Sequence, residues 1–556
     1  MEIFDIKGAT VGRGWSAGFF HKLFYGSFPT ALLETEPRSR GVSRAELREK
    51  LKDDAAAFRE LRSRIEAVPA ADSGLCGLAV PREFGGLGLS LTRTVEIIRR
   101  LSEKGRSPVI LDIYRSFILQ QLLLIFGAKK QRATYLPRLA QGEPAAAALT
   151  DAEGTTAVLR DYKFNLSGEK TLYYGEEKPK LIAVTAVDAA RRGHGVFLLE
   201  AAWPGISLAP LETPAAGLRV ARLILADVPV PPESLIGEIG QGDHHAQAAL
   251  DIAQLLLAAG TGPVKDCLRA ARLRLEMPTP AGGRAGDDEI SANALADIAA
   301  NLYAMEAVSA FAAGLADRGA LAHRQEAAAA RLFADDTEQR ILELTAHITQ
   351  SKERTAADAA RDAHLRRAGL LEGEPPLAAL AREAVERHLR AIGTWAYQDM
   401  GRRQRYLLLA GITAFYALWY PLAWLGWSWW PRWRRFGRLA RHLRFAEKHG
   451  RKLARAAFHG MLLHGRGYRS RRVVHERLAR IGILLYAITA AVVHAHNSQD
   501  ESADGGRMID LADMFCRGAR RRVKALFREL WGNDDVLKRR TAREVLDKRC
   551  LWLEHD

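Results

Sequence analysis

The spacing of hydrophobic and polar positions changes several times along this chain. Residues 43–68 have apolar positions at helical spacing and begin with Ser43, a good N-cap residue, so they predict a helix. A glycine-rich loop follows at residues 74–90 and leads into further helices. Short runs rich in β-forming residues then occupy residues 151–242, and helical periodicity returns from residue 243 onward. The pattern therefore predicts helices, a small β domain and a second set of helices.

The longest uncharged stretch runs from Tyr406 to Pro431 and has arginines on both sides. A transmembrane helix needs about 20 apolar residues, so the length permits a span. Pro421 near the middle and the tryptophans of the second half favour a re-entrant or in-plane helical hairpin at headgroup depth. A full span and a buried hairpin in the core or at an oligomer interface remain open as alternatives. The residues predicted to hold the membrane are Trp419, Trp424, Trp427, Trp429, Trp430, Arg432, Arg434 and Arg435, and Trp433 is grouped with these tryptophans.

The positive charge of the chain lies in its C-terminal part. Residues 401–556 carry a net charge of +18, whereas the whole chain carries +16. Cations beside a membrane-inserting stretch attract anionic lipid headgroups, and nucleic acid is the rival partner for such a surface. The adjoining tryptophan-rich run favours lipid. We therefore predict peripheral or monotopic attachment to the cytoplasmic face of an anionic membrane, with the bacterial inner membrane favoured, and no nucleic-acid partner.

Size and cysteine usage narrow the class of protein further. A chain of 556 residues is too long for one core and predicts two or three domains. Its four cysteines are far apart and show no CxxC pair, which indicates reduced thiols and no metal site. We expect no secretory or organellar targeting segment at the N-terminus. The adjacent pair His244 and His245 is predicted to cap a helix or to lie at the surface.

Three motifs stand in a fixed order: GLCGLAVPREFGGLGL at Gly74–Leu89, FGAKKQRATYLPRLAQGE at Phe126–Glu143, and DVPVPPESLIGEIGQG at Asp227–Gly242. They resemble the acyl-CoA dehydrogenase family, above all its very-long-chain, membrane-bound branch. The resemblance implies a mostly α fold with a small β domain, plus an extra helical C-terminal domain, and a homodimer. The implied units are an N-terminal α domain (1–150), a middle β barrel or sandwich (151–242), a C-terminal four-helix bundle (243–400), a membrane-associating segment (401–435) and a basic helical C-terminal domain (436–556).

The resemblance also implies a flavin held between subunits and a glutamate base that removes an α proton from a fatty acyl-CoA. The flavin motifs, however, are degenerate in this chain. Thr150 matches the threonine of the TEPxxGSD motif, and Arg284 is the available arginine near the RxxFG motif. The GxKxWI(S/T)N motif falls on Gly168–Gly175, without its tryptophan and its serine or threonine hydroxyl. The glycines of the QxxGGxG loop are absent from residues 347–353, and Gln254 replaces a family arginine.

Glu372 is the candidate for the base, because the family's RDxRxxxIxEGT motif can be aligned with Arg361, Asp362 and Glu372. The spacing from arginine to glutamate is two residues too long for the motif, so a loop carboxylate is the alternative. Two hypotheses follow. The favoured one is a fold-retaining protein without flavin that acts as a membrane scaffold, an assembly partner in a membrane protein complex or an acyl-chain-binding partner. The other is a divergent FAD-dependent dehydrogenase of long-chain acyl thioesters, carried by CoA or by an acyl carrier protein.

Overall fold

The structure is a computed structural model of the whole chain. It describes residues 19–24, 28, 33, 73–105, 107–149, 154–175, 177–190, 193–211, 219–278, 283–349, 430–464, 468, 471–498 and 505–549. The predicted helix at residues 43–68 and the uncharged stretch at residues 406–429 lie outside these ranges.

The N-terminal part is helical. Its helices are α1 (Phe19–Phe24), α2 (Leu91–Glu103), α3 (Ser107–Phe126) and α4 (Lys129–Ala140). The motif loop before α2 folds into two short 3-10 turns, and Gly86 packs so tightly that a Cβ there would lie 2.2 Å from the Val80 carbonyl oxygen. Ser90 then caps α2, because its side chain accepts from the Arg93 backbone N–H at 3.3 Å. The glycines of this motif therefore serve a close backbone approach that leads into a helix.

The middle part forms one eight-stranded sheet. Its strands are β1 (Ala145–Ala148), β2 (Thr155–Arg160), β3 (Lys163–Tyr174), β4 (Leu181–Asp188), β5 (His194–Glu200), β6 (Ile206–Pro210), β7 (Arg219–Val230) and β8 (Leu235–Ile236). The order is β6-β7-β3-β2-β4-β5-β8, with β1 pairing β4 in parallel. One face of the sheet encloses its own hydrophobic cluster, while side chains of the other face of β4 and β5, such as Leu181 and Val196, join the core of the helices.

The second helical part contains α5 (Gly242–Ala258), α6 (Gly262–Glu276), α7 (Glu289–Ala316) and α8 (Arg324–Thr349). The C-terminal part adds α9 (Ala440–His464), α10 (Arg472–Ser498), α11 (Gly505–Glu529) and α12 (Asp535–Leu546), after a 3-10 segment at Trp430–Leu439. The predicted fold class is confirmed: helices, a small β domain, a helical bundle and extra C-terminal helices.

A single large hydrophobic cluster joins the N-terminal, bundle and C-terminal helices. Helix α10 lies at its centre, where Tyr486 contacts the rings of Phe19 and Phe20 from α1, with ring centroids 5.1 and 5.3 Å apart. Helices α3, α7 and α10 each hold a stretch apolar and long enough to cross a membrane by length and composition. Most of each stretch is buried inside the protein, so these helices are explained by the core that they form.

The second and third sequence motifs meet in space. Gln131 of α4 donates from its amide nitrogen to the backbone carbonyls of Glu233 and Leu235 at 2.7 and 2.9 Å. Its amide oxygen accepts from the Ala128 backbone N–H at 2.8 Å and so caps α4. One glutamine side chain therefore ties the N-terminal helices to the last strand of the β domain.

Candidate functional site

The candidate site lies at the end of β3, where the flavin motif of the resemblance falls. Side chains alternate along the strand, and Lys170, Leu172 and Tyr174 are buried on one face. Leu172 stands at the position of the motif's tryptophan and has no exposed surface. Tyr174 stands at the position of the hydroxyl donor and is 5% exposed. Both pack into the cluster inside the β domain, so neither side chain offers accessible surface on which a flavin ring can stack.

Gly175, the residue after the end of β3, packs against an ion pair from α3. Asp112 and Arg115 are one helical turn apart, and Arg115 Nη1 donates to Asp112 Oδ1 at 2.6 Å. A Cβ built on Gly175 would lie 2.4 Å from Asp112 Oδ1 and 3.3 Å from Arg115 Nη1. Gly175 stands where the motif has asparagine. The ion pair therefore occupies the space that an asparagine side chain would need.

The two partners of this ion pair differ in their environment. The Arg115 side chain is 8% exposed, whereas the Asp112 side chain is 55% exposed. Burial lowers the pKa of Arg115, and the neighbouring Asp112 carboxylate opposes that shift. Among the described residues, no acceptor lies within hydrogen-bond distance of the buried Arg115 Nη2. The charge of the guanidinium thus depends on Asp112 for its compensation.

A buried lysine fixes the strand that leads to Thr150. Lys170 Nζ donates to Thr185 Oγ1 at 3.0 Å, and Thr185 Oγ1 donates in turn to the Leu149 carbonyl oxygen at 3.2 Å. Lys170 and Thr185 are both buried. This chain of hydrogen bonds explains the lysine of the motif as a structural residue of the β domain.

Further paired charges lie where α5 meets α8. Arg324 Nη1 donates to Asp251 Oδ2 at 3.1 Å, and Arg331 donates to the Leu257 carbonyl oxygen and to Asp335. Tyr114 of α3 is fully buried near this group, and burial raises its pKa while Arg331 and Arg115 oppose the shift. Asp112 and Asp251 therefore each compensate an arginine, and neither is placed as an unpaired base.

The predicted site residues are only partly described. Thr150 and Glu372 lie outside the described residues, as do residues 350–353 of the glycine-poor loop; His347 is exposed near the end of α8. Arg284 is exposed, and its backbone N–H donates to Asp287 Oδ2 at 2.8 Å. Among the described contacts of Arg284, none joins it to the end of β3. The structure thus does not bring the described candidates together.

The membrane prediction also falls mainly on undescribed residues. Trp419, Trp424, Trp427 and Trp429 lie outside the described ranges, and so do the side chains of Trp430 and Arg432. Arg434 and Arg435 are exposed, and Arg435 lies over the Phe436 ring at 4.9 Å.

The placement of Trp433 at the headgroup level is wrong. Its side chain is buried, and its indole N–H donates to Glu447 Oε2 at 3.0 Å. The physical reason is that a tryptophan needs one hydrogen-bond partner to enter a core, and Glu447 of α9 supplies it.

The prediction that His244 and His245 cap a helix or lie at the surface agrees with the structure for His244 only. His244 is exposed, but His245 is buried and stacks on Phe126, with ring centroids 4.0 Å apart. Burial lowers the pKa of His245, and the adjacent His244 adds to the shift. His245 is therefore a packing residue between the end of α3 and the start of α5.

Sequence reasoning missed Asp112 and Arg115. The signal was present, because they are the two charged residues of the otherwise uncharged α3 and are spaced i,i+3. A charged pair at that spacing in an apolar helix predicts an ion pair at a buried junction.

Comparison with known proteins agrees with this architecture. Residues 39–143 match the family model of the acyl-CoA dehydrogenase N-terminal domain. The probable acyl-CoA dehydrogenase FadE10 of Mycobacterium tuberculosis is 32% identical over 591 aligned positions, covering 97% of this chain and 90% of the relative. A probable acyl-CoA dehydrogenase of Bacillus subtilis is 34% identical over 43% of this chain and 42% of its own length. The crystal structure of a Bacillus anthracis acyl-CoA dehydrogenase complexed with FAD superposes with a TM-score of 0.68 at 19% identity, covering 93% of this chain and 92% of that one. The chain belongs to the acyl-CoA dehydrogenase family.

Proposed function

We propose that this protein is a membrane-associated member of the family that does not bind FAD in the family's manner. It acts instead as a scaffold, an assembly partner or an acyl-chain-binding partner. The observation that carries the proposal is the Asp112–Arg115 ion pair beside Gly175. It lies where the family's motif carries an asparagine next to the flavin-contacting residues.

Flavin binding needs a stacking surface for the ring, donors for its heteroatoms, and cations or backbone amides for its pyrophosphate. At the end of β3, Leu172 and Tyr174 are buried in the hydrophobic cluster of the β domain. Arg284, the candidate for the pyrophosphate, has no described contact with that strand end. These observations support the proposal that FAD takes no part in the function of this protein.

Acyl-chain binding enters the proposal from the relatives, which are named probable acyl-CoA dehydrogenases. The carrier of the acyl thioester in this proposal is CoA or an acyl carrier protein. Membrane attachment through residues 406–431 and homodimerisation belong to the same proposal. Two copies would double the inserted apolar surface, so that weak lipid contacts add through effective concentration.

The cofactor state gives a direct test. We expect the full-length protein to purify without the visible absorbance bands of a flavin and to release no FAD on heat denaturation. The physical reason is the loss of the stacking surface and of the ring donors. The measurement is an absorbance spectrum of the detergent-solubilised protein before and after incubation with excess FAD and dialysis. A flavin-containing relative purified alongside is the control. FAD retained at one per chain would contradict the proposal.

The second candidate function is that of a divergent FAD-dependent dehydrogenase of long-chain acyl thioesters. It is favoured by the relatives at 32% and 34% identity, which are both named probable acyl-CoA dehydrogenases. In this case Glu372 is the base that the family motif supports.

For this candidate we expect Glu372→Gln to lower the rate of acyl-CoA oxidation by roughly 10²- to 10⁴-fold, as is typical for the loss of a general base. The measurement is the reduction of an artificial electron acceptor with a long-chain acyl-CoA. Glu374→Gln, which removes a neighbouring carboxylate, is the matched control and should keep the wild-type rate. If the wild type itself shows no oxidation above background, the dehydrogenase candidate is excluded.

A further inference from the structure

Helices α9 and α11 lie side by side and run in the same direction. Three side-chain contacts follow one another in the same order along both helices. Arg441 donates a hydrogen bond to Asp513 near the start of the pair. Further along, Arg520 lies over the Phe445 ring and Lys452 lies over the Phe527 ring. The two helices therefore present one continuous surface, and the charges along it can be compared from one end to the other.

The charge balance changes along this helix pair. At its beginning, Asp510 and Asp513 compensate Arg438 and Arg441. From Met514 to Arg528, however, α11 has six basic residues and no acidic one. The second half of α11 is therefore strongly positive, and Arg520 and Lys524 on it lie close to residues of α9.

Three exposed lysines define the lysine cluster: Lys448 and Lys452 on α9, and Lys524 on α11. They surround His449, whose ring stacks on Phe445 with centroids 3.7 Å apart. Burial lowers the pKa of His449 to about 4, and the three lysines add to the shift. Burial also lowers the pKa of Lys452, with repulsion from Arg455 and Lys448 adding to it. Cations held this close raise one another's energy, and a nearby anionic surface relieves that repulsion.

Exposed apolar side chains follow the end of α11 in the chain. Trp531 follows that helix and is 45% exposed. Helix α12 has no buried residue and exposes Val536 and Leu537. Asp535 at the start of this helix pairs with Arg477 of α10, while its apolar side chains remain in water. Nucleic acid or a soluble phosphate would use the cations and leave these apolar groups in water, whereas a bilayer interface accommodates both.

We propose that the lysine cluster, together with Trp531 and α12, which follow it in the chain, is a docking surface for an anionic lipid bilayer. This site is separate from the stretch at residues 406–431 and rests on the proposed membrane association. The lysines attract the headgroups, and Trp531 enters the interfacial region. The cluster therefore adds a preference for anionic lipid to the contact made by the apolar stretch.

The test uses full-length protein and two kinds of vesicle, phosphatidylcholine alone and phosphatidylcholine mixed with phosphatidylglycerol. We expect Lys448→Ala/Lys452→Ala/Lys524→Ala to weaken binding to the anionic vesicles by roughly 10- to 100-fold, since each cation near such a surface contributes about a factor of five. Binding to neutral vesicles should not change. The matched control is Lys129→Ala/Lys130→Ala/Lys163→Ala, which removes three exposed lysines from α4 and β3 and should behave as wild type. Trp531→Ala should weaken binding without changing its salt dependence.

The outcomes distinguish the docking surface from the more general proposal of membrane association. Trp427→Ala/Trp430→Ala alters the apolar stretch and should weaken binding to both kinds of vesicle. If only that variant has an effect, membrane association stands and the docking surface is wrong. If the wild type binds neither kind of vesicle, both are wrong. A lysine variant that loses affinity for duplex DNA but binds anionic vesicles like the wild type would also overturn the docking surface. Unchanged circular dichroism of each variant confirms that a loss of binding is not a loss of fold.

Discussion

We expect Asp513→Asn to lower the free energy of unfolding of the C-terminal helices by about 2–4 kcal/mol, because it removes the carboxylate that neighbouring cations and a buried imidazole share. Asp513 accepts from Arg441 at 2.5 and 2.7 Å and contacts His442 Nε2 at 2.6 Å. Arg517 lies 2.9 Å away. The His442 ring has no exposed surface, so the exchange of its carboxylate acceptor for a weaker, uncharged amide oxygen carries most of the effect. Arg441 and Arg517 are half exposed and contribute less.

The pH dependence of this effect has a definite sign. Burial of the Asp513 carboxyl disfavours its ionisation, but the bonds from Arg441 and His442 outweigh it, so the pKa of Asp513 lies well below its usual range. A carboxyl with a depressed pKa in the folded state contributes stability above its unfolded pKa of about 3.9 and loses it as the pH falls. The loss in free energy of unfolding caused by Asp513→Asn should therefore have its full size at neutral pH and become smaller below about pH 4.

Thermal and urea unfolding across this pH range measure that difference. Asp510→Asn is the matched control, because Asp510 lies one turn earlier on α11 and pairs with Arg438 at an exposed site. Asp510→Asn should lower the free energy of unfolding by about 0–1 kcal/mol. Equal losses for the two variants would contradict the role assigned to His442.

Much of the fold could be predicted because local signals and tertiary structure agree. The glycine-rich motif at Gly74–Leu89 marks a loop, and the change from helical to alternating spacing marks the β domain. The contacts between motifs could not be predicted, since Gln131 and the carbonyls of Glu233 and Leu235 are a hundred residues apart in sequence. Trp433 shows the same limit: its position beside an apolar stretch indicated a membrane interface, but Glu447 brings it into the core.

Only the local part of the candidate site could be predicted from the sequence. The altered motif at Leu172–Gly175 can be read from the sequence, because it is a local departure from a known pattern. The sequence does not show that the Asp112–Arg115 ion pair lies beside Gly175, because these two residues belong to a helix about sixty residues earlier in the chain. Gly175 alone suggests flexibility, whereas the structure explains it as the space needed by an ion pair.

We expect Asp112→Ala to destabilise the protein by about 2–4 kcal/mol, because it leaves a buried guanidinium without its partner. The estimate is below that for a fully buried pair, since the Asp112 side chain is 55% exposed and water can reach it. Removing both charges with Asp112→Ala/Arg115→Met should recover most of the loss, since an apolar replacement of similar volume has no charge to compensate. Asp266→Ala is the control, because Asp266 and Arg269 form an exposed pair with the same i,i+3 spacing on α6.

Gly175→Asn connects this stability effect to the candidate site. In the wild-type background its Cβ would stand 2.4 Å from Asp112 Oδ1, so the half-exposed carboxylate must shift and its bond to Arg115 weakens. We expect the free energy of unfolding to fall, by no more than it does for Asp112→Ala. In the Asp112→Ala/Arg115→Met background the same change should cost much less, because the space for the asparagine is then free. Urea unfolding of the four proteins gives the coupling between position 175 and the ion pair. An equal cost of Gly175→Asn in both backgrounds would show that the pair does not occupy the asparagine position, and the main argument against family-like flavin binding would fail.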